Sequence, residues 1–353
     1  MTQPVFCGWD IGGVHLKLVT LSASGKLLTA CQLAAPIWHG LAYLRRAMSE
    51  ALEQLPTAES QHAVTMTGEL ADCFPDRLTG VTALLDAAAH VLGPAVKVYL
   101  PEGLRDLSTA RGRSGQVASA NWHASAEVIG RRHQQAVLMD IGSTTTDIIA
   151  ICDGRPVVAG YNDQARMQYD ELVYTGVVRT PVMALAQRAP VAGCEQHLAS
   201  EHFATMADVY RLTGELSADA DQMPTSDSGP RDQAGSARRL ARMACADYYA
   251  PELRQWQSLA DYIRQCQLEL LATSLERVMT HHKLPSDAVI VGAGCGRFLV
   301  RQLAAERQQP YVDAADCVTG SGAVNRRAAD ILPAYAMAEL LIERRLAAGI
   351  RTP

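Results

Sequence analysis

Short apolar runs separated by turn residues open the chain. One run ends at Asp10-Ile11-Gly12-Gly13, a second spans 16–21 and closes at Ser24-Gly25-Lys26, and a third covers 27–33. Apolar segments of this length between Gly, Asp and Ser read as buried strands, so the pattern predicts a three-stranded meander. Helical spacing follows over about 40–55, then a strand ending at HAVTMTGEL, a helix over 81–92, a short strand at VKVYL and a helix over 118–132. The opening pattern then returns: a strand over 135–139, a turn from Asp140 to Thr146, a strand over 147–152, an Asp153-Gly154 hairpin signal and a strand over 156–159. The repetition predicts an internal duplication and two half-domains facing one cleft. Beyond it the pattern gives helices near 202–212, 236–249 and 251–281, a strand over 287–291 running into Gly292-Ala293-Gly294-Cys295-Gly296, and a last helix over 325–348.

Residues 217–235 break this regularity, being rich in Ser, Asp, Gly and Pro with no apolar period. The stretch reads equally as a surface insertion or as a lid over the cleft. With 353 residues, roughly two domains of ~150 residues are expected. An apolar content of 48% with 5% aromatics fits a helix-rich α/β protein. The net charge of −5, with no basic stripe carrying interleaved aromatics, argues against a nucleic-acid partner. No apolar run reaches the ~18 residues of a membrane span, and no signal peptide is readable at the N-terminus. Nine scattered cysteines without a CxxC pair fit free thiols in a reducing cytoplasm.

The chemistry concentrates in the glycine turns. Glycines let backbone N–H groups approach an anion, and an adjacent Asp suits a hydrated divalent cation. Asp10-Ile11-Gly12-Gly13 alone is a common turn signal. Asp140-Ile141-Gly142-Ser143-Thr144-Thr145-Thr146-Asp147 is stronger, because a run of hydroxylated residues between two carboxylates fills a core poorly and suits phosphate oxygens well. A third segment, VGAGCGR from Val291, follows a strand and precedes a helix, which also favours an anion. A dinucleotide fingerprint is disfavoured there: the segment comes late in the chain, and Asp313 is its only loose acidic partner.

These three segments, in this order and with a duplicated meander, resemble the superfamily that contains actin, sugar kinases and the Hsp70 ATPase domain, and more closely its hydantoinase/oxoprolinase branch. MTGELADCF, SANWHASA, ELVYTGVVRTPV and EHFATMADVYRLTG narrow the resemblance to proteins of the tetrahydromethanopterin-linked one-carbon transfer pathway, similar to the archaeal enzyme that builds the aryl ether of methanofuran. The resemblance implies an α/β fold with a duplicated actin-like (ribonuclease H-like) core, divided as 1–133, 134–324 and a C-terminal helix over 325–353 that packs back on the first half. It implies a condensation in which a phenol, tyramine or its γ-glutamyl derivative, displaces diphosphate from an aminomethyl-furanmethyl diphosphate. The rivals on this fold are an ATP-dependent kinase or amide hydrolase and a non-catalytic nucleotide-binding protein. An oligomer is compatible with any of them.

By motif position, Asp10, Gly12, Gly13, Gly142, Ser143, Thr144 and Thr145 form the phosphate-contacting set, extended by Gly292 and Gly294. Asp10, Asp140 and Asp147 are the Mg²⁺ candidates, with Asp10 and Asp140 also counted as catalytic. Glu69 reads as a general base or as a helix-capping carboxylate. Arg179 reads as a phosphate or carboxylate clamp or as a salt-bridge partner. Asn121, with Trp122 and His123 beside it, faces a substrate or caps a helix and fills an interface. Cys194, His197 and His202 match no zinc spacing, and His281-His282 suits a helix end. The first loop carries Val14-His15 where many nucleotide-binding relatives have Thr or Ser. That difference weakens ATP relative to diphosphate without excluding it.

Overall fold

The computed structural model describes residues 4–55, 59–320 and 322–347, together with 349. Two mixed sheets carry it. In the first, β1 (Val5–Ile11), β2 (His15–Ser22) and β3 (Leu27–Ala34) form the expected antiparallel meander. β4 (Ser60–Met66) then adds parallel to β1, and β5 (Lys97–Leu100) and β6 (Gly103–Asp106) complete the order β3-β2-β1-β4-β5-β6.

The second sheet repeats that plan. β7 (Gln135–Ile141) pairs antiparallel with β8 (Thr146–Cys152), whose outer edge is shared by two fragments. β9 (Arg155–Val157) pairs with 150–152 and β10 (Leu172–Val173) with 146–147, so the predicted third strand is shorter than expected and split. A separate hairpin joins β11 (Arg188–Val191) to β12 (Cys194–His197), which puts Cys194 opposite Val191 and His197 opposite Arg188 in a ladder. Parallel to β7 runs β13 (Val289–Ala293), followed by β14 (Tyr311–Asp313). Each half thus has a meander followed by parallel strands, which is the duplicated actin-like core.

Two helices bind the halves. Asn121–Gly130 ends the first half but packs on β7, β8 and β9, whereas Leu332–Ala347 ends the second and packs on β1, β2 and β4. Gly8 makes the latter contact close: a Cβ there would lie 2.0 Å from the Ala334 carbonyl oxygen. The helix expected over 325–348 is in fact two, Ala323–Asp330 and Leu332–Ala347, because Pro333 disfavours a helical Ile331-Leu332 junction but is tolerated at a helix start. Residue 348 lies outside the described residues. One apolar cluster draws on both sheets and both crossing helices, including Phe6, Leu138, Val291, Trp122 and Tyr335. No helix among the described residues is long and apolar enough to cross a membrane.

The 217–235 stretch is tied down by charge. Arg211 holds Asp221 at 2.6 Å, and Asp227 binds the fully buried Arg239 at 3.0 Å. Gln222 reaches the Gln32 carbonyl at the end of β3. None of these residues borders the cleft described next, so the placement favours an anchored insertion over a lid.

Candidate active site

The two glycine turns face each other across a cleft of about 490 Å³. Both are tight hairpins of the same build: Gly12 N–H donates to the His15 carbonyl at 3.0 Å, and Gly142 N–H to the Thr145 carbonyl at 2.9 Å. Gly12, Gly13, Gly142, Ser143, Thr144 and Thr145 all line the cleft, as do Asp140, Asp147, Asn121 and Arg179. Thr146 does not; its hydroxyl donates to the Thr175 carbonyl inside the core.

The second turn is braced from behind. Val177 N–H donates to the Gly142 carbonyl, and Val178 and Arg179 N–H groups donate to that of Ser143. Gly176 allows this approach, since a Cβ there would lie 2.5 Å from Thr144 N. Buried Gln267 fastens the brace by donating to Thr175 Oγ1 at 2.8 Å and to the Gly176 carbonyl at 3.0 Å.

Strand register explains the charges. Asp10 on β1 stands opposite Lys17 on β2, and Lys17 Nζ donates to Asp10 Oδ2 at 2.8 Å. Burial alone would lower the lysine's proton affinity, but the Asp10 carboxylate outweighs it and raises it. Lys17 lines the cleft while Asp10 is fully buried beneath it. Asp10 is therefore the counter-ion of a cleft lysine through Oδ2, while its Oδ1 is buried without a partner among the described residues. Sequence reasoning passed over Lys17, because a lysine in an apolar strand reads as a solvent-facing position until its cross-strand partner is known.

In the second hairpin the same register sets Asp140 against Asp147. Burial, reinforced by Asp147, pushes the Asp140 carboxyl up to about 7. Asp147 receives Arg166 Nη2 at 2.9 Å. That arginine is buried, lies 4.0 Å from the centre of the Trp122 ring and borders the cleft, with its Nε unpartnered. Arg179 is exposed at the mouth, 5.9 Å from the Trp38 ring centre, and pairs with no carboxylate among the described residues. His15 is buried and driven down to about 3, first by burial and then by Lys17 and Arg179, so it is neutral.

Three expected site residues stand elsewhere. Glu69 is fully buried behind the wall, accepting from Ser119 Oγ at 2.7 Å, and burial raises its pKa. It caps no helix either, since Asp76 caps the helix that follows. Gly292 packs under the Tyr311 ring, and Gly294 sits against Ile141 and Asp140 with φ +80°. Both glycines seat the β13 turn on β7 and leave the cleft to others. Asn121 opens its helix and turns its Oδ1 to the Trp122 N–H at 2.8 Å.

No group of three or more His, Cys, Asp or Glu that suits a metal exists among the described residues. The donors at Asp140, Asp147, Thr144 and Thr145 are all oxygen, which fits Mg²⁺ in the manner usual for it, held by one or two carboxylates with substrate phosphates and water. The raised Asp140 is the carboxylate a cation would relieve.

A two-lobed α/β core with glycine loops, hydroxyls and three cationic side chains around one cleft defines a protein of the actin-like class. The chain matches the hydantoinase/oxoprolinase family over residues 60–317 and belongs to it. It is 28% identical over 289 residues to the (4-{4-(2-(gamma-L-glutamylamino)ethyl)phenoxymethyl}furan-2-yl)methanamine synthase of Methanocaldococcus jannaschii, covering 81% of this chain and 85% of that one. The synthase of the same name from Methanococcus vannielii is 27% identical over 161 residues, 46% of this chain and 72% of its own. A nucleotide-free structure of the ATP-dependent acetone carboxylase shares the fold, with a TM-score of 0.55 at 10% identity over 95% of this chain and 70% of that one.

Proposed function

We propose that the protein is a transferase that forms an aryl ether: a phenol oxygen displaces diphosphate from an aminomethyl-furanmethyl diphosphate, in the synthesis of a methanofuran-type cofactor. The observation that carries this reading is the pairing of two glycine loops with Lys17, Arg166 and Arg179 around one cleft. A diphosphate leaving group needs its developing charge met by fixed donors and cations. Loop N–H groups and the Ser143, Thr144 and Thr145 hydroxyls supply the donors, and Lys17, anchored by Asp10, supplies a positive point that does not have to reorganise. Mg²⁺ held at Asp140 and Asp147 would neutralise further phosphate charge. Trp38 and Leu70 from the first half and Leu172 and Tyr174 from the second give the cleft apolar lining to shield a furan-methyl carbon from water as it gains cationic character.

The test is incubation of the purified protein with tyramine, the furanmethyl diphosphate and Mg²⁺, followed by mass spectrometry for the ether and assay of released diphosphate. Absence of both products sinks the proposal. One observation favours a nucleotide reading instead: a second cavity of about 620 Å³, bordered by Cys295, Arg297 and Arg301, lies beside the third glycine segment. Turnover of the ATP γ-phosphate without ether formation would select it.

A further inference from the structure

The condensation needs a group to take the phenolic proton. In the main cleft Asp147, Asp163 and Asp330 are each paired with an arginine and His15 is buried, which leaves the perturbed Asp140 and the exposed Asp72 as its candidates among the described residues. A smaller chamber of about 300 Å³ adjoins the cleft, and Trp122 borders both. The segments that border one cavity border the other: Ser119 and Asn121 line the cleft while Ala118 and Ala120 line the chamber, and Asp163 lines the cleft while Tyr161 lines the chamber. Trp122, His123 and Tyr161 make the chamber aromatic. The His123 ring lies 5.3 Å from Trp122, edge to face, and 6.2 Å from Tyr161, centre to centre.

The hydrogen bonds of His123 fix its tautomer. Tyr99 has one hydroxyl hydrogen and donates it to Glu127 Oε2 at 2.7 Å. Its oxygen, 2.8 Å from His123 Nδ1, must then accept, so Nδ1 carries the proton. Nε2 is left as a lone-pair acceptor that bonds no protein group among the described residues, on a residue that lines the chamber. A carboxylate, a phenol and an imidazole in series are an arrangement that orients a base and stabilises its cation. Burial first, and Arg166 as well, lower the affinity of His123 for protons, and Glu127 partly restores it, so the ring waits in the neutral form.

We propose that this chamber holds the phenol ring of the acceptor and that His123 Nε2 takes the phenolic proton as the ether forms. The inference rests on the condensation reading. The phenol O–H bond breaks toward Nε2, the aryl oxygen bonds to the furan-methyl carbon, and the bond from that carbon to diphosphate breaks with its electron pair leaving on diphosphate. The imidazolium is met by the Tyr99–Glu127 chain and returns its proton to water after product release. A para-substituted phenol of the size of tyramine fits a chamber with this volume and these walls, its ring against Trp122 and Tyr161.

Calorimetry with tyramine, without any diphosphate present, tests the chamber. The wild type is expected to bind it, Ala118→Leu to lose binding by at least tenfold while keeping its affinity for inorganic diphosphate, and Tyr161→Ala, at an exposed position that leaves folding intact, to weaken it about fivefold. Unchanged tyramine affinity in both variants overturns the assignment. His123→Gln, which keeps a polar side chain but cannot hold the proton, is expected to retain tyramine binding within about threefold and lose kcat by ~100-fold, the usual effect of a missing base. Wild-type kcat in that variant overturns the role of His123. A wild-type protein that binds tyramine in the chamber yet yields no ether refutes the condensation instead, and the binding results still decide the chamber.

Discussion

Asp140 is the most strongly perturbed acid of the cleft, and its cost to the fold is measurable. It faces Asp147 across a hairpin, with Asp10 and Asp330 near and Lys17 opposing. Its carboxyl moves from 3.8 to about 7. The folded protein therefore holds this proton more tightly than the unfolded chain, and stability falls as pH rises from about 4 through about 7, the loss being complete above that window. At ~1.4 kcal/mol per unit the shift is worth ~4 kcal/mol at a sealed site, and screening in a solvent-filled cleft reduces this to ~2 kcal/mol. Asp140→Asn keeps the shape and removes the titration. Urea unfolding of both proteins at pH 4, 6 and 8 should show little difference at pH 4 and a variant more stable by ~2 kcal/mol at pH 8. The difference between the two curves reports Asp140 together with the changes its charge imposes on Asp147 and Asp330, which couple to it. A difference that stays flat within ~0.5 kcal/mol from pH 4 to 8 would refute the reasoning. The same variant should lose diphosphate release at least 100-fold, so stability and activity move in opposite directions.

Three further perturbations follow from the geometry. Lys17→Met leaves Asp10 unpaired in the core, which costs ~3–5 kcal/mol by denaturant unfolding, and Lys17→Met with Asp10→Asn should regain most of that while diphosphate affinity stays at least tenfold down. Gly176→Ala forces a Cβ to within 2.5 Å of the Ser143–Thr144 backbone, so calorimetry should show diphosphate binding weakened about tenfold or more, with ~1–3 kcal/mol lost in stability. Gly8→Val drives the Leu332–Ala347 helix off β1, seen as early proteolytic release of the C-terminus and a stability loss of ~2–3 kcal/mol or more.

What the sequence disclosed was whatever its local pattern carries. The two hairpins are legible because an Asp and a Gly close each apolar run, and the second is richer because Ser143, Thr144 and Thr145 cannot serve a core. Lys17 is invisible at that level: HLKLVTLS alternates like any half-buried strand, and only the register that sets Lys17 opposite Asp10 gives it a role. Arg166 lies in a short helix, Asp163–Gln168, without amphipathic length, and it reaches the cleft through tertiary packing on Trp122. The glycines of VGAGCGR mislead for a related reason. Close backbone approach needs glycine whether the neighbour is a phosphate or, as for Gly294, another strand of the same sheet. Edge elements such as β9, β10 and β14, of two or three residues each, are too short to leave a period. Glu69 ended a recognisable strand, but which side of the wall it would face was a matter of packing.

The duplicated hairpins share a backbone and differ in charge at one equivalent position, Lys17 in the first and Asp147 in the second. Two acidic hairpins would repel a diphosphate, and two Asp–Lys hairpins would leave no carboxylate for a cation. The asymmetry gives one hairpin a lysine and the other a second carboxylate, which suits a leaving group that binds together with Mg²⁺. Asp147→Lys makes the second hairpin copy the first. The new ammonium would face Asp140 as Lys17 faces Asp10, drawing the Asp140 carboxyl back toward the usual carboxylate range and releasing Arg166 from its partner. Diphosphate binding, measured by calorimetry with and without Mg²⁺, should then lose most of its dependence on the metal, whereas the wild type should bind at least tenfold more tightly when Mg²⁺ is present. If the variant keeps the full wild-type dependence, the Asp140–Asp147 pair is not where the metal acts, and the division of labour between the two hairpins falls with it.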